Sequence, residues 1–292
     1  MKPQLKEAED DSVVQKENEL INKEYTVWKQ YANYLYDTVI THALDWPSLT
    51  CQWFPNKRTP PGKDYTIHRL LLGTHTSGQD QEYLQIATVF VPKRDNVRHS
   101  DIFNHEIYGA DREESLRIQI QVTQKITHPG EVNRARCMPQ NPEMLVTKAA
   151  AAGELGKSET GKGALLLLVL LSDNFSRFDA RLSSRYGLAW NPNKAGHIIG
   201  ASEDVTVCYW FLCQAYSTKN STIQPTTTFR AHTSVVGDVD WHPKKEYLFA
   251  SVGNDMMLML WDTRSPGGPV TKVQAHNRDI LAVAFSPQAK TT

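Results

Sequence analysis

The chain has no surplus of either charge: 32 Lys and Arg against 32 Asp and Glu give a formal net charge of zero. Nucleic-acid binders normally carry a basic excess, so no sequence-specific nucleic-acid partner is expected. Cysteine is scarce. Cys51, Cys137, Cys208 and Cys213 form no Cys-x-x-Cys pair, which argues against a disulfide framework or a thiolate zinc site and reads as reduced, intracellular thiols. Long apolar runs are missing too. The most apolar, Ala164-Leu165-Leu166-Leu167-Leu168-Val169-Leu170-Leu171, has eight residues, against roughly 20 needed to span a bilayer, so no membrane partner is expected. The first residues are charged and offer no secretory core. Without that context, Asn174-Phe175-Ser176 and Asn220-Ser221-Thr222 carry little weight as glycosylation sites. No His/Cys cluster has metal spacing and no Gly-x-Ser-x-Gly elbow occurs, so no metal, cofactor or catalytic residue is assigned and no enzyme is expected.

What the chain does hold is a repeat. Val132-Asn133-Arg134-Ala135-Arg136-Cys137, Tyr186-Gly187-Leu188-Ala189-Trp190, Val236–Trp241 and Leu281-Ala282-Val283-Ala284-Phe285 read as equivalent strand openings. Their last residues are 53, 51 and 44 apart, near the period of about 40–45 of β-propeller blades with added loops. Pro139, Pro192, Pro243 and Pro287 each follow within two residues, as a turn between the first and second strands requires. The clearest blade is Tyr247–Asp262: a small-residue strand, a turn holding Asp255, an apolar strand and a closing Trp261-Asp262. The fold class is therefore all-β, a WD-repeat propeller, and its function is binding.

In such a blade the turn Asp, the closing Trp and an inner His share a hydrogen-bond network. That structural network is assigned to His232, Asp238, Asp255 and Trp261, with Asp204 and Trp210 in the preceding blade. The preceding blade has no obvious His, so its network is expected to be incomplete. His128 and His276 also stand at blade entrances.

The ends and the middle depart from this pattern. Residues 1–12 are acidic and read as a disordered tail. Residues 13–40 hold a helix, because Val14, Ile21, Tyr25, Trp28, Ala32 and Leu35 keep helical spacing. A second apolar line, Val13, Leu20, Val27, Tyr31 and Tyr34, runs beside it. Two lines suit a helix lodged between its own domain and a partner; one broad face buried within the protein is the alternative. Residues 41–148 carry the first blades and 186–292 the later ones. Leu116, Ile118, Ile120 and Val122 alternate with polar residues as a half-wet strand. Residues 149–185 are foreign in composition and are expected to replace two strands of the second blade, as a local reading-frame change or an insertion would. Within them Gly156-Lys157-Ser158-Glu159-Thr160-Gly161-Lys162-Gly163 approaches a phosphate-binding loop, but Gly163 stands where a metal-binding hydroxyl is needed. A nucleotide-binding function is kept only as a remote alternative.

Longer blocks point further. Glu24-Tyr25-Thr26-Val27-Trp28-Lys29, Thr41-His42-Ala43-Leu44-Asp45-Trp46-Pro47-Ser48-Leu49-Thr50, Ile67-His68-Arg69-Leu70, Leu72-Gly73-Thr74-His75-Thr76-Ser77, Gly130–Arg136 with Met138-Pro139-Gln140-Asn141-Pro142, and Tyr186–Asn193 are all present. Through them the chain resembles the retinoblastoma-binding, MSI-type histone-binding WD-repeat family. The resemblance implies a seven-bladed propeller with an N-terminal helix on its side, nuclear localisation, and adaptor or chaperone work. The implied partners are core histones three and four and subunits of chromatin assembly, Polycomb, deacetylase and nucleosome-remodelling complexes. It implies two histone sites. A groove on the helix, here Ile21, Tyr25, Trp28, Tyr31 and Leu35, takes the first helix of histone four. A channel face, here Asp45, His75, Glu131, Asn133, Arg134 and Tyr186, takes a basic tail. Two acidic rim positions of the family fall on Ser184 and Gly237. Family members are longer, and this chain stops just inside an expected fifth blade, so a truncated or degenerate interaction fragment without full histone binding is the alternative.

Overall fold

A computed structural model describes residues 4–36, 39–63, 65–93, 120–149, 164–169, 180–181, 187–212 and 225–288. The chain divides into two compact units: Met1–Ala43, Thr59–Thr66 and Phe90–Gln119 form one, and Leu44–Arg58, Ile67–Val89 and Ile120–Thr292 the other.

The first unit is dominated by one long helix, α1 (Gln4–Leu35). It starts well before the expected Val13. Residues 4–11 hold neither Gly nor Pro and are rich in Glu, Lys, Leu and Ala, good helix formers, while Pro3 stands just ahead, where a missing N–H costs nothing. The acidic stretch is thus helical rather than a disordered tail.

The second unit is built of four-stranded antiparallel sheets in chain order. The first is β1 (Cys51–Trp53), β2 (Tyr65–Gly73), β3 (Tyr83–Pro92) and β4 (Ile120–Thr127). The second is β5 (Val132–Met138), β6 (Asn141–Ala149), β7 (Ala164–Val169) and β8 (Ala180–Arg181). The third is β9 (Leu188–Trp190), β10 (His197–Ala201), β11 (Thr206–Phe211) and β12 (Thr227–Arg230). The fourth is β13 (Val236–Trp241), β14 (Leu248–Gly253), β15 (Met257–Asp262) and β16 (Thr271–Gln274). These are successive blades of an all-β WD-type propeller, incomplete among the described residues, beside one N-terminal helix. Leu116 and Ile118, expected in a strand, lie outside the described residues.

One expectation is corrected. Residues 149–185 do not abolish the outer half of the second blade. The apolar run supplies β7, in register Met144↔Val169 through Ala149↔Ala164, and β7 pairs with β8. A ladder is made of backbone groups, so a strand-length apolar run can fill it whatever its origin.

Adjacent sheets share the core. One buried cluster joins Leu71, Leu84, Ile86 and Ile126 of the first blade to Val132, Ala135, Cys137 and Leu145 of the second. Another joins Met138, Met144 and Val146 to Leu188, Trp190, Ile198, Cys208 and Trp210. A third joins Ile199, Ala201, Val207 and Phe229 to Val236, Val239, Trp241, Phe249, Met259 and Trp261. The period of two divides single strands between these cores. Ile198 packs toward the second blade and its neighbour Ile199 toward the fourth. No blade buries its faces alone, so each depends on its neighbours for stability.

Candidate functional site

The inner strands β1, β5, β9 and β13 lie side by side, joined by side chains where a backbone ladder is missing. Thr50 Oγ1 accepts from Ala135 N–H at 2.9 Å, and Gln52 Oε1 accepts from Cys137 N–H at 2.8 Å. Trp190 and Trp241 donate their indole N–H groups to the Arg136 and Ala189 carbonyls at 3.0 and 3.1 Å. Beyond β13 the same spacing recurs with carboxylates: Asp238 accepts from Val283 N–H at 3.2 Å and Asp240 from Phe285 N–H at 2.8 Å. Side chains at i and i+2 on one strand thus grip alternate amides of the next.

The register shifts at Asn133 in β5 and at Gly237 in β13. Such bulges re-aim side chains at the end of a strand. Asn133 is buried. Just before it, Glu131 Oε2 lies 3.3 Å from His75 Nε2, whose Nδ1 lies 3.4 Å from the Ser77 hydroxyl. Just after it, Arg134 reaches Asp238 at 3.8 Å. A side chain at Gly237 would meet the Ile280 carbonyl, 2.7 Å from its Cβ, so that rim position has no room for a carboxylate. Of the sequence-predicted tail-face residues, His75, Glu131, Asn133 and Arg134 cluster at the β5 entrance. Asp45 stands apart, almost fully exposed and 3.9 Å from Lys125, because the turn into β1 presents it outward. Tyr186, Ser184 and the phosphate-loop-like Gly156–Gly163 stretch lie outside the described residues.

Buried charge concentrates beneath this rim. Burial raises the Asp238 carboxyl, against the opposing pull of Arg134, and likewise raises Asp240. Burial and then Arg134 lower the Arg136 guanidinium to about 10. Lys148, opposite Arg134 in the β5–β6 ladder, is fully buried, and its ammonium falls to about 7 through loss of water. Nothing in the strand pattern marked Lys148 or Arg136. A lysine at the end of an apolar strand, with a second cation across the ladder, is the signal that could have found them.

The helix presents the other candidate surface. Ile21, Tyr25, Tyr31 and Leu35 are all at least half exposed, from 50 to 64 %, together with Leu20, Val27 and Tyr34. Trp28 is half-buried, and its ring lies 5.6 Å from Tyr25 and 6.1 Å from Tyr36. Ala32 alone of the two predicted lines is fully buried. Both lines are therefore largely open.

The blade network forms as a relay in the fourth blade. Trp261 N–H donates to Ser251 Oγ at 2.8 Å, Ser251 pairs with His232 Nε2 at 2.7 Å, and His232 Nδ1 meets Asp255 at 2.9 Å. The carboxylate accepts from Nδ1–H, which leaves Nε2 to accept the Ser251 hydroxyl proton. Asp238 is not part of it. Alternation along β13 turns Asp238 toward Arg134 and the 280–285 segment, away from His232. In the third blade the relay is broken: Asp204 accepts from the Thr206 hydroxyl and amide, while the buried Trp210 N–H has no partner among the described residues. The registers Ile198↔Trp210 and Phe249↔Trp261 put Gly200 where Ser251 stands. The second blade keeps half of it: His128 Nε2 lies 2.9 Å from Thr147 Oγ1, and Leu168 occupies the register position of the Trp. No metal-ligating cluster occurs among the described residues, and no described helix is long and apolar enough to cross a membrane.

Comparison with known proteins gives two matches to family models. One, described as that of histone-binding protein RBBP4 or its counterpart in the CAF1 complex, covers residues 23–93. The other, WD domain, G-beta repeat, covers residues 223–262. The histone acetyltransferase type B subunit 2 of Mycosarcoma maydis is 43% identical over 282 residues, 92% of this chain and 64% of that relative. The chain thus spans a little under two thirds of the length of this relative.

Proposed function

From its membership of the retinoblastoma-binding, MSI-type WD-repeat family, we propose that this chain is a non-catalytic, histone-binding adaptor of nuclear chromatin complexes. One observation carries the reading: the aromatic helix face falls within the segment matching the histone-binding family model, and it is open. Tyr25, Trp28, Tyr31 and Leu35, with Ile21, form an apolar stripe that fits an amphipathic helix, and the first helix of histone four is the proposed occupant. Glu131, His75, Asn133 and Arg134, with Tyr186, hold a basic tail such as that of histone three at the channel rim. Asp45 contributes at a distance, through the general field. Chromatin assembly, Polycomb, deacetylase and remodelling complexes are the proposed settings. The relative's own name adds the type B acetyltransferase assembly as one more.

The test is binding of the purified chain to a histone-four helix peptide and a histone-three tail peptide. Trp28→Ala is expected to abolish the first and Glu131→Ala to weaken the second. Binding of neither peptide, or binding that ignores both substitutions, refutes the proposal. The coverage of under two thirds of its relative favours one other reading, an interaction fragment that engages complex subunits without histones. Capture of those subunits alone identifies it.

A further inference from the structure

Lys148 lies within the wall that carries the proposed tail face, and nothing in that function uses it. It is fully buried, and its amine donates to the Ala201 carbonyl, tying the second blade to the third. Gly187 makes the surroundings tight: a Cβ there would lie 2.6 Å from Ala201 Cβ and 2.9 Å from Asp238 Cα. The strand that carries Asp238 therefore runs directly against the site. Across the ladder stands Arg134, paired with Asp238.

The charges here do not sum to zero when every group is ionised. Arg134, Arg136 and Lys148 supply three cations, and Asp238 and Asp240 supply two buried or half-buried anions. The other ionisable neighbours change little. Glu203 is exposed and screened, and burial keeps the Cys208 thiol protonated. On the rim itself, Glu131 and His75 answer each other. The buried set balances only when the Lys148 amine is neutral.

We propose that Lys148 is a proton switch of this rim: its neutral amine leaves the wall balanced, its ammonium adds one buried positive charge, and a cationic peptide binds with release of that proton. The amine is worth placing there because a neutral lysine can still donate to Ala201 while a permanent cation such as Arg cannot lose its charge. Burial sets the switching range near pH 7. A peptide that binds only the neutral form loses apparent affinity in proportion to the neutral fraction, about tenfold from pH 8 to pH 6.

This inference rests on tail binding at the rim, and the experiment separates the two. Calorimetric titration of the chain with a histidine-free histone-three tail peptide is run from pH 6 to pH 8 in buffers of different ionisation enthalpy. Wild type is expected to bind up to about tenfold more tightly at pH 8 and to release a proton near pH 7. Lys148→Met should bind at the pH 8 level throughout, and Lys148→Arg at the pH 6 level. His75→Gln should keep the wild-type slope. A Lys148→Met protein with an unchanged slope, or a slope removed by His75→Gln, overturns the switch. If no peptide binds, the rim function falls, and denaturation still decides the switch. Unfolded lysine holds its proton to a higher pH than Lys148 does, so wild-type stability should rise from pH 7 to pH 10 relative to Lys148→Met. Parallel curves overturn it.

Discussion

The third and fourth blades share a pattern and differ in one residue that matters. Both close on a buried Trp with an Asp six residues before it. The fourth completes a relay from Trp261 through Ser251 and His232 to Asp255. The third has Gly200 where Ser251 stands, and the Trp210 indole N–H goes unanswered among the described residues. Shape is thus kept without the polar chain. The third blade holds its place through apolar packing on both faces, since Trp210, Ile198 and Leu188 join one cluster and Ile199 and Phe229 another. A blade can stand on its neighbours' cores; the relay adds a specific tie between its turn and its strands.

The comparison breaks most easily at His232. His232→Ala leaves a buried carboxylate at Asp255 without its partner and should cost about 3–5 kcal/mol, measured by equilibrium denaturation. A loss within experimental error would mean the relay is ornamental. Next in size is Trp261→Phe, which keeps most of the packing but removes the donor to Ser251; about 1–3 kcal/mol is expected.

Acid separates the blades by a different histidine. In the third blade His197 stacks on Phe211 at 4.4 Å and hydrogen-bonds the Tyr209 hydroxyl. Burial, then Lys194, lowers it to about 4. Unfolding lets this His take a proton the fold refuses, so its contribution is present above about pH 6.5 and is lost as pH falls toward 4. His197→Gln should flatten that part of the stability–pH curve; an unchanged slope would move the acid sensitivity elsewhere, to His232 or His128. The smallest effect expected is a gain. Gly200→Ser offers Trp210 the missing acceptor and should add up to about 1 kcal/mol. A loss would mean the strand cannot accept a side chain there.

Much of this was legible in the chain. The strand openings at Val132, Leu188 and Val236, the Pro-marked turns and the His232–Asp255–Trp261 triad follow from local spacing. The missing link, Ser251, did not, although Ser251 and Thr147 each fall 19 residues after a blade-entrance His. A single hydroxyl in a small-residue strand has no periodic signature. Asp238 was placed in the wrong network because alternation gives its face and not the neighbour on that face. The helix start was missed because charged residues suit both a tail and a helix. Lys148 and the pairing of β7 were illegible for a shared reason. Both depend on which strand lies alongside, and that is decided by tertiary packing.

The most direct test of the relay claim is one pair of denaturation curves, Trp261→Phe beside Trp210→Phe, each against wild type. A completed relay in the fourth blade and a broken one in the third predict a loss of about 1–3 kcal/mol for the first and a change within about 0.5 kcal/mol for the second. Equal losses at both positions would contradict it.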